Sequence, residues 1–357
     1  MRILMTADGM GGVWTYALEL TRALRPVGVE IVLATMGDPL TDAQRAAADA
    51  AGVAELHESD LLLEWMPDPW EDVAAAGGWL LELERYAQPV VVHLNGYAHA
   101  ALPWTVPVVV VAHSDVLSWW DAVRGHEPPP EYDRYREAVA RGLQAADAVV
   151  APTAAVARDL RQHYGAGDAT VIVNGRSDEG LTPAAPEPFI LTSGRIWDPA
   201  KNAEAVARVA PLLSWPVVVA GEDEVPTRGV QALGRLPAYE LAGWLRRAAI
   251  FALPARYEPF GFGVLEAGLA GCALVLGDIP SLREVWGDAA LFVPPDDDRA
   301  LADALEHLIA DDAARAAYAD AARQRARRFT AGRMAASYLE VYAGVIREHI
   351  AARAAQG

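Results

Sequence analysis

Two glutamates, Glu258 and Glu266, bracket the segment EPFGFGVLE. Gly261 and Gly263 between them allow close backbone approach to a ligand, and a helix is predicted to begin near Phe262. Its first turn would offer free N–H groups and a positive dipole end to an anion or a polar ligand. Carboxylates before and inside that helix could accept hydrogen bonds from the hydroxyls of a sugar or a ribose. Taken alone, Glu258 reads better as a solvated loop residue and Glu266 as an exposed helix residue.

A second segment, SGRIWDPAKN, holds Arg195 and Lys201 on the loop that leaves a strand. A guanidinium grips phosphate oxygens in pairs and an ammonium adds a compact charge, so the two suit a diphosphate. Of 30 basic residues, 29 are arginine, and Lys201 is the one lysine. Gly11 and Gly12 follow the first predicted strand, where a glycine turn can aim backbone N–H groups at phosphate. They form neither a G-x-G-x-x-G fingerprint nor a P-loop. His113 lies just past a valine run and could donate to, or polarise, a reacting group, with Asp115 as a possible orienting partner. A structural histidine is the competing reading.

Other reactive side chains point elsewhere. Ser114 lacks a nucleophile elbow. His93 and His99 lack the spacing of zinc ligands on a helix. Cys272 sits among small apolar residues and is read as packing, and one cysteine excludes an internal disulfide. Asp296, Asp297 and Asp298 precede a helical pattern and are read as capping residues, not as a metal site. Trp119 and Trp120 suit either an apolar acceptor pocket or the core, with core packing expected for at least one.

The elements that must position these groups alternate. Strands are predicted at 2–6, 29–35, 90–93, 108–112, 148–151 and 171–173, with a helix over 13–24. Continuous β-branched runs such as those at 108–112 suit strands buried on both faces. Residues 176–188, rich in proline, glycine and charge, read as a linker. Strands at 189–192, 217–220, 250–253 and 273–276 follow, and from Ala300 the pattern is almost wholly helical. This predicts an α/β chain of two doubly wound, Rossmann-like domains, with ligands at the carboxyl ends of the strands and in a cleft between the domains.

The bulk numbers bound the function. With 357 residues, two cores are affordable. A net charge of −18 excludes an obvious nucleic-acid binder and weakens a polybasic membrane surface. No apolar run approaches the ~20 residues of a membrane span, and the N-terminal apolar stretch is too short for a signal peptide. A cytoplasmic protein is expected.

In these ordered motifs the chain resembles the retaining glycosyltransferases of family 4, of GT-B fold, along nearly its whole length. Glu258 and Glu266, with Phe260 and Gly261 between them, look like that family's E-x7-E signature. Gly194, Arg195, Lys201 and Asn202 look like its diphosphate segment, and Val171 to Gly175 like the strand and turn closing its first domain. The resemblance implies an N-terminal acceptor-side domain over 1–176, a nucleotide-sugar domain over 177–330 and a helix over 331–357 returning to the first domain. It also implies a UDP- or GDP-linked sugar as donor and a small-molecule, glycan or lipid-linked acceptor. No cofactor and no metal are implied.

Residue by residue, the resemblance gives Glu258 the donor sugar and Glu266 the ribose. Arg195 and Lys201 would take the departing diphosphate, with Gly11, Gly12, Phe260 and Gly261 also on the donor. His113 would touch the donor sugar and order the reacting centre, and Arg235 and Leu236 would lie near the base. Gly221-Glu222-Asp223 is more acidic than the family's glycine-rich turn, and 55–88 and 115–137 carry no motif of it. A sugar-nucleotide epimerase and a non-catalytic nucleotide-sugar scaffold remain alternatives. A pyridoxal phosphorylase and a nicotinamide dehydrogenase fit less well, for want of a second lysine and of a dinucleotide fingerprint.

Overall fold

The computed structural model describes every residue except Met10, 222–228 and Gly357, so Glu222 and Asp223 of the acidic turn lie outside the described residues. The chain divides into two compact units. The first comprises Met1–Asp121, His126–Gly175 and Thr330–Gly357; the second comprises Ala122–Gly125 and Arg176–Phe329.

The first unit holds seven strands: β1 (Arg2–Asp8), β2 (Glu30–Met36), β3 (Glu55–Glu58), β4 (Val91–Leu94), β5 (Val108–Val111), β6 (Ala148–Ala151) and β7 (Thr170–Val171). They form one sheet of order β3-β2-β1-β4-β5-β6-β7, parallel throughout. The valines of β5 are buried on both faces because helices cover both sides of the sheet. Local chemistry marks the helix ends. Thr41 and Gln44 form a reciprocal capping box at the helix Asp42–Ala51, and Thr153 accepts from Val156 N at the helix Ala154–Tyr164. Gly52 and Gly165 close the same helices in the left-handed conformation.

The second unit repeats the scheme with six strands: β8 (Glu187–Ser193), β9 (Val217–Ala220), β10 (Val230–Ala232), β11 (Ala248–Leu253), β12 (Ala273–Gly277) and β13 (Leu291–Val293). Their order is β10-β9-β8-β11-β12-β13, again parallel. Its core joins Ile190, Val217, Val219, Ile250 and Val275 to the helix Asp298–Ala310.

Both sheets are Rossmann-like, and in both the strand order reverses beside the first strand. The switch point falls between β1 and β4 in one unit and between β8 and β11 in the other. Ligands of such sheets bind at the carboxyl ends of the strands flanking the reversal. The expected alternation is thus present, with differences at its edges. β3, β10 and β13 are short edge strands without a long apolar run, and periodicity did not flag them. The first helix begins at Gly11 rather than Val13, the strand expected at 171–173 is Thr170–Val171, and the stretch read as linker gives its last two residues to β8. No helix among the described residues is long and apolar enough to cross a membrane.

Candidate active site

In the second unit, the loop after β8 begins at Gly194, whose φ is 138°. Its N–H donates to Ala220 O, and a Cβ on the neighbouring Gly221 would overlap Ile196 and Gly194 O, so glycine is needed at 221 for the two strand ends to approach. Arg195 Nη2 lies 3.1 Å from the buried carboxylate of Asp198, and its guanidinium stands 5.6 Å from the exposed Trp197 ring. Asp198 also accepts from Ala200 N at 3.0 Å. Asn202, at φ 54°, donates to Pro254 O and Pro295 O and so ties this loop to the loops after β11 and β13.

From β11 the chain runs through Pro254 to Gly261, which adopts φ 89° as the cap of the helix Phe262–Ala270. Glu258 is held by its backbone, whose carbonyl accepts from Ser281 Oγ at 2.6 Å. Its carboxylate meets Lys201: Nζ to Oε2 is 2.7 Å, and both side chains are mostly shielded from solvent. Glu266, one turn into the helix, is paired with Arg176 at 2.7 Å. That pair lines a small cavity of about 40 Å³ with Leu241, Ala242 and Leu245.

Phe260 is buried edge-to-face against Phe262 and Phe329, so its ring is taken up by packing. Arg235 is exposed and Leu236 half-buried on the turn after β10, whose Gly234 carbonyl accepts from Gly221 N.

In the first unit, Gly11 and Gly12 form the exposed first turn of the helix Gly11–Leu24, at the carboxyl end of β1. Amides there have no intrahelical acceptor. His113 follows β5, and its Nε2 lies 2.8 Å from Asn95 Oδ1. Tyr16 packs on it edge-to-face at 4.5 Å. Desolvation, followed by the neighbouring His93, lowers the His113 pKa well below the ordinary imidazole value. Asp115 is a different case from the one expected. Its Oδ1 accepts from Ser118 N and from the Tyr164 hydroxyl, so it caps the helix Val116–Arg124, while Asn95 holds the histidine.

Asn95 and Tyr16 escaped sequence reasoning because nothing in their spacing marks them, and His93 was weighed there only as a zinc ligand. Their one signal is position, since Asn95 follows β4 directly at the switch point. His93 is fully buried, within 3.2 Å of the Tyr16 hydroxyl and 2.7 Å of the Tyr342 hydroxyl, and His99 Nε2 donates to Val73 O.

The remaining candidates have structural duties. Asp297 caps the helix Asp298–Ala310, Asp298 pairs with Arg208 and Asp296 with Arg256. Among the described residues no three His, Cys, Asp or Glu side chains gather as a metal site would require. Cys272 is buried, its thiol directed at Leu245 O, and burial pushes its pKa up to about 12. Trp119 and Trp120 are both half-buried, 5.8 Å apart, so neither is a core residue.

Two parallel sheets with charged and polar side chains gathered at each switch point are the GT-B architecture of glycosyltransferases. The chain belongs to glycosyltransferase family 4. The sequence model of Glycosyltransferase Family 4 matches residues 10–179, and that of Glycosyl transferases group 1 matches residues 187–311. The chain is similar to a D-inositol 3-phosphate glycosyltransferase of Xylanimonas cellulosilytica, at 31% identity over 93% of this chain and 91% of the relative. A glycogen synthase of Mycobacterium tuberculosis is 28% identical, over 91% and 90%. In fold, the chain matches a sucrose-phosphate synthase from Thermosynechococcus elongatus with TM-score 0.81 at 18% identity, covering 99% of this chain and all of the other. An Anabaena chain solved with UDP and glucose matches with TM-score 0.74 at 17% identity, over 96% and 100%. The protein is a glycosyltransferase.

Proposed function

We propose that this glycosyltransferase moves a hexose-type sugar from a UDP- or GDP-linked donor to a small-molecule, glycan or lipid-linked acceptor, with retention of anomeric configuration and without a metal ion. The observation that carries the reading is the pairing of Lys201 with Glu258 at 2.7 Å, beside Arg195, at the switch point of the second sheet. In the reaction the bond from the anomeric carbon to the phosphate oxygen breaks. The acceptor oxygen bonds that carbon, and the acceptor's proton passes to the departing diphosphate. Negative charge grows on the diphosphate and positive charge on the sugar ring.

Lys201 and Arg195 are fixed cations that oppose the first charge, and Glu258 opposes the second. Pre-organisation supports these roles: Asp198 braces Arg195, and Ser281 and Asn202 fix the two loops. Glu266 accepts from the ribose, Arg235 and Leu236 flank the base, and the backbone at Phe260 and Gly261 serves the donor. Gly11, Gly12 and His113 are assigned to the transferred sugar and its phosphate.

Calorimetric titration of UDP, GDP, ADP and their sugar conjugates, on wild type and on Lys201→Ala, tests the reading. Binding of one diphosphate below millimolar, weakened by the substitution, supports it and names the base. Absence of binding to the folded protein overturns it. Turnover of a nucleotide sugar without any acceptor would instead favour an epimerase. The acceptor screen starts from inositol phosphates and glucans, because relatives are named for D-inositol 3-phosphate and for glycogen. The anomeric configuration of the product and the effect of a chelator decide retention and metal independence.

A further inference from the structure

A chain of polar side chains in the first unit determines where protons sit around His113. Asn95 Nδ2 lies 2.6 Å from Thr6 O, a carbonyl that can only accept, and this fixes the amide orientation. Oδ1 therefore faces the imidazoles, 2.8 Å from His113 Nε2 and 3.3 Å from His93 Nε2. An amide oxygen can only accept, so His113 must carry its proton on Nε2, and a proton on His93 Nε2 likewise serves both this oxygen and the Tyr16 hydroxyl oxygen 3.2 Å away. A lone pair on either nitrogen would face the oxygen's own lone pairs.

His93 Nδ1 is then an acceptor, and the Tyr342 hydroxyl, 2.7 Å away, donates to it. Tyr16, whose hydroxyl is 3.2 Å from His93 Nε2, and the rings of Tyr338 and Tyr342 wall the fully buried His93, so water does not compete for its bond to Tyr342. The second nitrogen of His113 is left with a lone pair and no proton.

We propose that Asn95, His93 and Tyr342 are positioning residues that lock His113 in its Nε2–H tautomer, so that Nδ1 accepts a hydrogen bond from a hydroxyl of the sugar substrate. This rests on the assignment of His113 to the sugar. It reverses the direction of the bond in one of the roles the sequence offered His113, that of a donor to a substrate oxygen. It also makes the contact selective, because a sugar bearing no donor at that position loses it and pays for desolvating Nδ1. The groups facing the two rings are Tyr16 from the helix Gly11–Leu24 and Tyr338 and Tyr342 from the helix Ala331–Gln356, all neutral near pH 7, so nothing charged favours an imidazolium. Desolvation lowers the pKa of both histidines in keeping with this.

The test is long-range proton–nitrogen NMR of the full chain labelled with ¹⁵N-histidine, its eight histidines assigned with His113→Gln and His93→Gln. The expected result for wild type is a neutral Nε2–H tautomer at His113 and at His93, unchanged from pH 8 to pH 5.5. Tyr342→Phe is expected to convert His93 into a tautomer mixture. Asn95→Asp, which turns a carboxylate toward both rings, is expected to raise the protonation midpoint of His113 by about 1 to 3 pH units. An Nδ1–H or mixed tautomer at His113 in wild type, or its protonation near neutral pH, would overturn the proposal even if a variant fails to fold. The result is independent of nucleotide titration: loss of nucleotide binding condemns the donor reading, whereas a wrong tautomer condemns the lock alone.

Discussion

Lys201 and Glu258 lie on loops that follow different strands of one sheet, and their side chains meet at 2.7 Å with little exposure to solvent. Each neutralises the other before any substrate arrives. A lone buried charge is costly, so removing one partner harms the other. Lys201→Ala is expected to lower kcat/KM for the donor by about two to three orders of magnitude, as loss of one charge-stabilising donor does elsewhere. Lys201→Arg is expected to restore little, because a planar fork replaces a compact charge. Steady-state kinetics on the three proteins checks this, and activity near wild type in Lys201→Ala refutes it.

Glu258→Gln joined to Lys201→Ala tests the pair as a unit. Groups in direct contact are not additive. The double variant is expected to be little worse than the worse single one in kcat/KM. A full product of the two losses would mean that the residues act separately.

Glu266 is engaged by Arg176 in the same manner, 2.7 Å apart. Glu266→Ala is expected to weaken nucleoside diphosphate binding by about tenfold, equivalent to about 1.4 kcal/mol. The matching 2′,3′-dideoxy nucleotide should bind wild type and variant alike. Calorimetry decides, and equal losses for both nucleotides would remove the ribose from the account.

Gly277 ends β12 where a Cβ would overlap the backbone of Ala255, in the loop leading to Glu258. Backbone has no rotamer by which to yield. Gly277→Ala is expected to destabilise the fold by about 2 to 4 kcal/mol, in the range of overpacked sites. A urea unfolding midpoint unchanged from wild type would contradict the packing described here.

His93 gives a pH signature. Its pKa is lowered by burial to about 3 from an ordinary 6.5. Between those values the unfolded chain binds a proton that the folded chain refuses, so stability is full above 6.5 and falls as pH drops toward 3. From pH 7 to pH 5, where most carboxylates stay ionised, His93 alone should account for about 2 kcal/mol of lost stability. His93→Gln should remove that share of the loss and leave the similar share of His113, whose pKa burial also lowers to about 3, as measured by urea unfolding at each pH. An equally steep loss in the variant would locate the acid sensitivity elsewhere.

Much of this was legible in the sequence because it depends on local pattern. Valine runs such as Val108–Val111 declare buried parallel strands, and Glu258, Gly261 and Glu266 declare a loop entering a helix. The interactions that organise the site are long-range and leave no such trace. Asn95 looks like any loop asparagine until the fold sets it between Thr6 and His113. Asp115, two residues from His113, invited a pairing that proximity in sequence suggested, yet it turns toward Ser118 and Tyr164. Phe260 lay inside a binding motif, but its ring was claimed by Phe262 and Phe329.

The separation between His93 and Tyr342 is 249 residues. On the ribosome, the first unit therefore emerges with one of its most buried polar groups lacking its donor, and the whole second unit must be translated before that donor exists. The early sheet can assemble from its own strands, but a nascent chain halted before residue 342 should stay soft around β4 and expose Tyr16. Closure of the first unit is thus a late event in the life of each molecule, timed by elongation rather than by the speed of its own sheet.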